Sequence, residues 1–217
     1  MGPILHHISD QQSEKQDVHR VRPSLSPALM LAAADMLFAA SDLPGNVTMD
    51  AIAAAAGVGK GTLFRAFGSR DGLLDALWAA KIAALREGVE SGAPPFEIQA
   101  PAQERLVAFL DAILTFKLEN RHLIRARELG TGLLQSPHYK WMHGQARALI
   151  ENATGQPMAG EALYTAHALL AALHIDLIEE MLANGLSLQA IRQAQAARVR
   201  AIVGGFRHRR PPSPRNG

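Results

Sequence analysis

The sequence predicts an all-α chain of about nine helices, grouped into a short N-terminal set and a longer C-terminal set. Three observations predict it. Apolar residues recur at three- and four-residue spacing through most of the 217 residues. Alanine and leucine are abundant while aromatic residues reach only 5%, which suits helices better than pleated sheets. No segment alternates apolar and polar residues as a half-buried strand does, and no internal repeat is found.

Hydrophobic residues make up 48% and charged residues 19%, a globular mixture able to bury one good core or two small ones. The absence of cysteine excludes disulfides and thiolate metal sites and fits a reducing cytoplasm. "MGPILHHISDQQSEKQ" at the N-terminus has no apolar core of signal-peptide length, and no apolar run elsewhere is long enough to span a bilayer. A cytoplasmic chain with no membrane partner is expected. The formal charge is only +2 although the pI is near 9.2. Much of that basicity sits in the tail "FRHRRPPSPRNG", so charge alone is a weak argument for nucleic acid.

Residues 1–24 are polar and unpatterned and read as a flexible arm. The first helix runs from Ser26 to Ala40, where Leu29, Leu31, Ala32, Met36, Leu37 and Ala40 keep helical spacing, and "SDLPGN" ends it. Thr48 then offers an N-cap hydroxyl to the short second helix "MDAIAAAA", with Asp50 suited to the first-turn dipole. Gly57 ends that helix and "GKGTLFRAF" forms the third. Ser69 caps the fourth, in which Leu73, Leu74, Leu77, Trp78 and Ile82 make one stripe.

"SGAPPFEIQAP" is the domain boundary, because paired prolines and a glycine interrupt a helix. The N-terminal domain is therefore placed at 25–85 and the C-terminal domain at 95–206. Leu106, Phe109, Leu110, Ile113 and Phe116 mark the fifth helix. "NRHLIRARE" is a short sixth, and "SPHYKWMHGQARALIEN" begins the seventh with its proline early. "GEALYTAHALLAALHIDLIEEMLAN" reads as a single eighth helix ended by Gly185. Ser187 caps the ninth, "SLQAIRQAQAARVRAIVGGF", and residues 207–217 form a basic tail expected to be disordered.

The chemistry turns on "GVGKGT", residues 57–62, which suits either a phosphate-binding loop or the bend of a helix-turn-helix. A phosphate loop needs its first glycine at the position held by Ala54, and a Ser or Thr where Gly61 stands. It must also leave a buried strand, whereas "TMDAIAAAA" is alanine-rich and helical in pattern. The helix-turn-helix accounts for more letters over 48–67. Ala53 lets two helices cross closely, Gly57 accepts positive φ at the bend, and Ile52, Ala56, Val58 and Leu63 lock the pair.

"TMDAIAAAAGVGKGTLFRAFGSRDGLLDALW" resembles the DNA-binding domain of the tetracycline-repressor (TetR) family. Thr48, Ile52–Ala53, Ala56–Val58, Lys60–Phe64, Phe67 and Ser69 match the family pattern, and Arg70 stands for its lysine. Gly59 replaces the usual serine before Lys60, and Phe64 an often-found tyrosine. The resemblance is specific over residues 26–80 and beyond that rests on helix number and order. It implies a helix-turn-helix DNA-binding domain followed by a helical ligand-binding and dimerisation domain.

On this reading the third helix enters the major groove of double-stranded DNA. Lys60 supplies charge, Gly59 and Gly61 allow close backbone approach, Thr62 reaches a base or phosphate, and Arg65 reads a base edge. Thr48, Phe64, Ser69 and Arg70 complete the DNA-binding set, with Ser69 and Arg70 toward phosphate. Arg20 and Arg22 are within reach of a minor groove, but a disordered arm that makes no contact is expected. A palindromic operator requires a homodimer, and the eighth and ninth predicted helices are assigned the seam. Its stripe is Leu163, Ala166, Leu170, Leu173, Leu177 and Met181, with Ala190, Ala194, Ala197 and Ala201 opposite.

A small-molecule effector pocket is expected among the fifth to eighth helices, from Phe109, Ile113, Phe116, Tyr139, Trp141, Met142, His167 and His174. The resemblance implies a repressor that such an effector releases. A DNA-binding protein blind to ligands is the nearer rival. An all-helical metal enzyme is the farther one, since only Glu119–His122 matches the bundle Glu-x-x-His motif. No catalytic residue, metal or cofactor is expected.

Overall fold

The computed structural model describes residues 26–128, 133–155 and 159–208. The expected arm, with Arg20 and Arg22, and the basic tail beyond residue 208 lie outside them. Ten α-helices and no strand occur among the described residues: α1 (Pro27–Ala40), α2 (Met49–Ala55), α3 (Lys60–Phe67), α4 (Arg70–Ser91), α5 (Ala102–Glu119), α6 (Arg121–Glu128), α7 (Pro137–Thr154), α8 (Ala159–Ala171), α9 (Ile175–Ala183) and α10 (Leu188–His208). Single 3₁₀ turns fill Pro44–Asn46 and Leu133–Gln135.

Hydroxyl caps begin several of the helices, although Ser26, at the N-cap of α1, makes no side-chain cap bond. Thr48 Oγ1 accepts the Ala51 amide at 3.2 Å, Ser69 Oγ that of Gly72 at 3.1 Å, and Ser187 Oγ that of Ala190 at 3.1 Å. α7 follows the same rule, with Ser136 accepting from the Tyr139 amide at 3.1 Å and Pro137 in its first turn. α4 ends at Gly92 in the left-handed region, where a side chain would strike Ile98.

Two apolar cores result, and they do not divide at the 91–101 linker. The first joins Phe38 of α1, Ile52 and Ala53 of α2, Leu63 of α3 and the Leu73–Ile82 stripe of α4. It also takes Phe116 from α5, Leu123 and Ile124 from α6 and Ile175 from α9. The second is built on α5, α7, α8 and α10 and includes Phe96 of the linker itself. The N-terminal helices therefore rest on the C-terminal ones through packed side chains.

Two expectations are corrected. The predicted eighth helix is two, α8 and α9, broken at 172–174 without proline or glycine. His174 is extended there (φ −61°, ψ 133°), and Lys117 of α5 donates to the freed Leu173 carbonyl at 2.8 Å. The break lets Ile175 enter the first core while Leu170 and Leu173 stay in the second. The seam stripe also fails as an outward face, because Ala166, Leu170 and Leu173 are buried within the chain. Of the residues assigned to the seam, Leu163 of α8, Leu177 of α9 and Ala190, Ala194, Ala197 and Ala201 of α10 are exposed, and Tyr164 of α8 is exposed with them.

Candidate nucleic-acid interface

Gly57 adopts φ +67° and turns the chain from α2 into α3, while the Val58 amide closes the bend on the Ala53 carbonyl at 3.0 Å. Ile52, Ala53 and Leu63 are buried between the two helices. That packing fixes which side of α3 is left over. Gly59, Lys60, Gly61, Thr62, Phe64, Arg65 and Ala66 are all exposed.

Gly59 stands as the N-cap of α3 and has no side chain to accept a first-turn amide. A Cβ at Gly59 or Gly61 would meet no atom of the chain within 4 Å. The fold therefore does not require glycine at either position. In a helix Gly61 costs about 1 kcal/mol relative to alanine. What the two glycines provide is a bare helix start, open to an outside surface.

Lys60 Nζ lies 2.8 Å from Asp50 Oδ1 and 6.0 Å from the Phe64 ring centroid. Both charges of this pair are more than 60% exposed, at 61% and 64%, so the pair holds Lys60 only weakly. Arg65 Nε donates to the Gly61 carbonyl at 3.3 Å, which lays the side chain along α3 and leaves the rest of its guanidinium outward. The Thr48 and Ser69 hydroxyls accept cap bonds as acceptors, and each retains its own proton for an outside oxygen.

Arg70 is placed differently from the sequence reading. Its Nη2 donates to the Pro44 carbonyl at 3.0 Å, Nη1 to that of Ala126 at 3.2 Å and Nε to that of Val47 at 3.4 Å. The guanidinium also lies 5.4 Å from the Phe38 ring centroid. All three donor groups are turned into the chain, so the expected phosphate contact is not what this side chain is built for. It ties the segment between α1 and α2 to α6. The sequence held no signal for this, since Ala126 is remote in the chain and contributes only a carbonyl.

A second polar joint stands nearby. Asp35 of α1 pairs with Lys81 of α4 and lies 2.9 Å from His122 Nε2 of α6. Burial raises the Asp35 pKa, but hydrogen bonds from Lys81 and His122 outweigh it and hold the carboxyl below its ordinary value. His122 belongs to the lone Glu-x-x-His match, and its partner is this carboxylate. Among the described residues no three His, Asp or Glu side chains gather as a metal site would need.

The eight expected pocket residues do not share one cavity. Phe109, Ile113 and Met142 are core, and Phe116 belongs to the N-terminal cluster, edge-on to Trp78 at 5.1 Å. Trp141 packs edge-on to Phe109 at 5.7 Å. Tyr139 and His167 lie toward the surface, with the hydroxyl 2.6 Å from His167 Nδ1, and the His143 ring is tilted by 31° against that of His167 with centroids 4.0 Å apart. Burial and then the His143 charge lower the His167 pKa. His174 caps α9. A groove of about 460 Å³ does run between α5 and α10, past Val107, Ala108, Ala112 and Ala196, and none of the eight lines it. These residues were chosen for bulk, and bulk marks core more often than cavity.

A sequence model described as bacterial regulatory proteins, tetR family, matches residues 30–77, the segment holding α2, the bend and α3. No curated protein sequence matches the chain significantly. The fold is similar to that of a TetR-like transcriptional regulator from Rhodococcus sp. RHA1, at 22% identity and a TM-score of 0.55, over 82% of this chain and 95% of that one. A TetR transcriptional regulator from Streptomyces coelicolor aligns over 87% of this chain and all of its own at 23% identity, with a TM-score of only 0.41. No helix among the described residues is long and apolar enough to cross a membrane. The segment in which the glycine bend presents α3 outward is thus the part of the chain that is similar to the tetR family of bacterial regulatory proteins.

Proposed function

We propose that the chain is a homodimeric transcriptional regulator, a repressor that reads a palindromic operator through α3 and is released by a small-molecule effector. The observation that carries the reading is the outward start of α3. Gly59, Lys60, Gly61, Thr62 and Arg65 are exposed together, on a helix whose other side is locked by Leu63. Lys60 and the first-turn amides suit phosphate, and Arg65 suits a guanine edge, worth about 1–3 kcal/mol of discrimination. Thr48 and Ser69, at the starts of α2 and α4, support the same backbone grip.

One α3 reads too few base pairs for specificity, so two must act across a two-fold axis. The alanine row of α10 with Leu163 and Tyr164 of α8 supports a four-helix seam, alanine permitting close approach. A groove of about 290 Å³ between α8 and α10, past Ala168, Ala201 and Phe206, would receive the partner's side chains.

Affinities across a salt series, on an enriched duplex and on a scrambled one, test the reading. Lys60→Ala is expected to weaken both alike and reduce the salt slope by about one. Equal binding of wild type and Lys60→Ala across a salt series contradicts it.

A further inference from the structure

α1 is apolar almost all round. Of its 14 residues only Asp35 is polar, and that carboxylate is turned to Lys81 and His122. The core takes one side of the helix, through Met30, Ala33, Ala34 and Phe38. The opposite side is Ala28, Leu29, Ala32, Met36, Ala39 and Ala40, every one of them exposed, Leu29 at 56% and Met36 at 66%. At 3.6 residues per turn these six fall within one sector of about 120°. A surface helix carries its polar residues on this side, and a helix apolar all round is one that is covered on both. Single exposed apolar residues are ordinary, but a whole helix face without a polar group is not. No described residue supplies the cover.

The size and charge of the face narrow what can cover it. Two large side chains and four alanines offer much less than the roughly 800 Å² that a separate protein partner buries on each side. α1 has no lysine or arginine to draw it to an anionic lipid surface. A segment tethered to the same chain needs less area, because its association is intramolecular. Such a segment leads directly into α1. Ser26 is extended and Pro27 stands in the first turn, so the chain changes direction where the helix begins. Three large apolar residues, Ile4, Leu5 and Ile8, fall together upstream, with residues 9–25 as the connection. α1 is about 21 Å long, and only a part of that connection, at about 3.3 Å per extended residue, is needed to return along it. We propose that residues 4–8 fold back on the exposed face of α1 and cover Leu29 and Met36. The segment is an intrachain cover that keeps this face from associating with other chains.

The chain has no cysteine, so an introduced pair reports by itself. The full chain carrying Leu5→Cys and Ala32→Cys is treated with a short bismaleimide, and the product is read by denaturing gel and peptide mass. The control pair is Leu5→Cys with Ala148→Cys, on an exposed position of α7. A link within one chain is expected for the α1 pair, formed severalfold faster than in the control. Ile4→Asp with Ile8→Asp is expected to slow it to the control rate, since a charge is costly against an apolar face. Met36→Glu, on the α1 side, is expected to do the same, and either variant decides if the other fails to fold by circular dichroism. Equal rates for the two pairs, or a rate indifferent to these charges, means a free segment and overturns the proposal. A link between two chains means that a second copy covers the face, and overturns it as well.

Discussion

Arg65 lies in the last turn of α3 and Arg70 opens α4, and their guanidinium groups have opposite fates. Arg65 has one weak bond to its own helix and stays exposed, so Arg65→Ala is expected to relax sequence preference while leaving stability nearly unchanged. Operator and scrambled DNA, compared at one salt concentration, check it. Arg70 holds three carbonyls, and Arg70→Ala leaves them poorly paired. The expected loss is about 2–3 kcal/mol, read from urea unfolding. A uniform loss of DNA affinity with unaltered stability would instead mean that Arg70 serves phosphate. Gly61 offers a cleaner separation of fold from function. Gly61→Ala should stabilise α3 by about 0.5–1 kcal/mol, since no atom crowds the new Cβ, and yet lower operator affinity.

At the scale of elements, the bend between α2 and α3 was legible because its determinants are local. Gly57 needs positive φ, Thr48 and Ser69 cap the helices that follow them, and the apolar residues between them have one way to meet. The break between α8 and α9 was not legible. Nothing in "LLAALHIDL" interrupts a helix; Lys117 and the place waiting for Ile175 in the other core do so, from far along the chain. The expected pocket was not legible either, because size marked Phe109 and Phe116, which pack into the two cores, and not the residues that line the groove between α5 and α10. The α7–α8 contact carries a pH prediction. The lowered His167 pKa means that the unfolded chain binds the proton more readily. Its stabilising contribution is whole above 6.5, the ordinary histidine value, and is lost as pH falls through the lower folded value. Unfolding midpoints measured from neutral to mildly acid pH should fall less in His167→Gln than in wild type.

For the whole molecule, shared cores mean that a change between α4, α5 and α7 is felt at α3 through packed side chains. Under the proposed dimer, a two-fold seam would decide whether such a movement matters, since only a pair of recognition helices has a spacing to lose. Ala197→Arg puts a charge into the proposed seam on an exposed alanine of α10. It should yield a folded monomer by sedimentation, with operator affinity lost beyond what one half-site explains. The central claim is that two copies of α3 read one groove face together. Selecting bound sequences from a random DNA pool tests it most directly. Enrichment of an inverted repeat, with half-site centres separated by about 34 Å or a multiple of it, is the result this account predicts. Enrichment of a single asymmetric site, or of none, contradicts it.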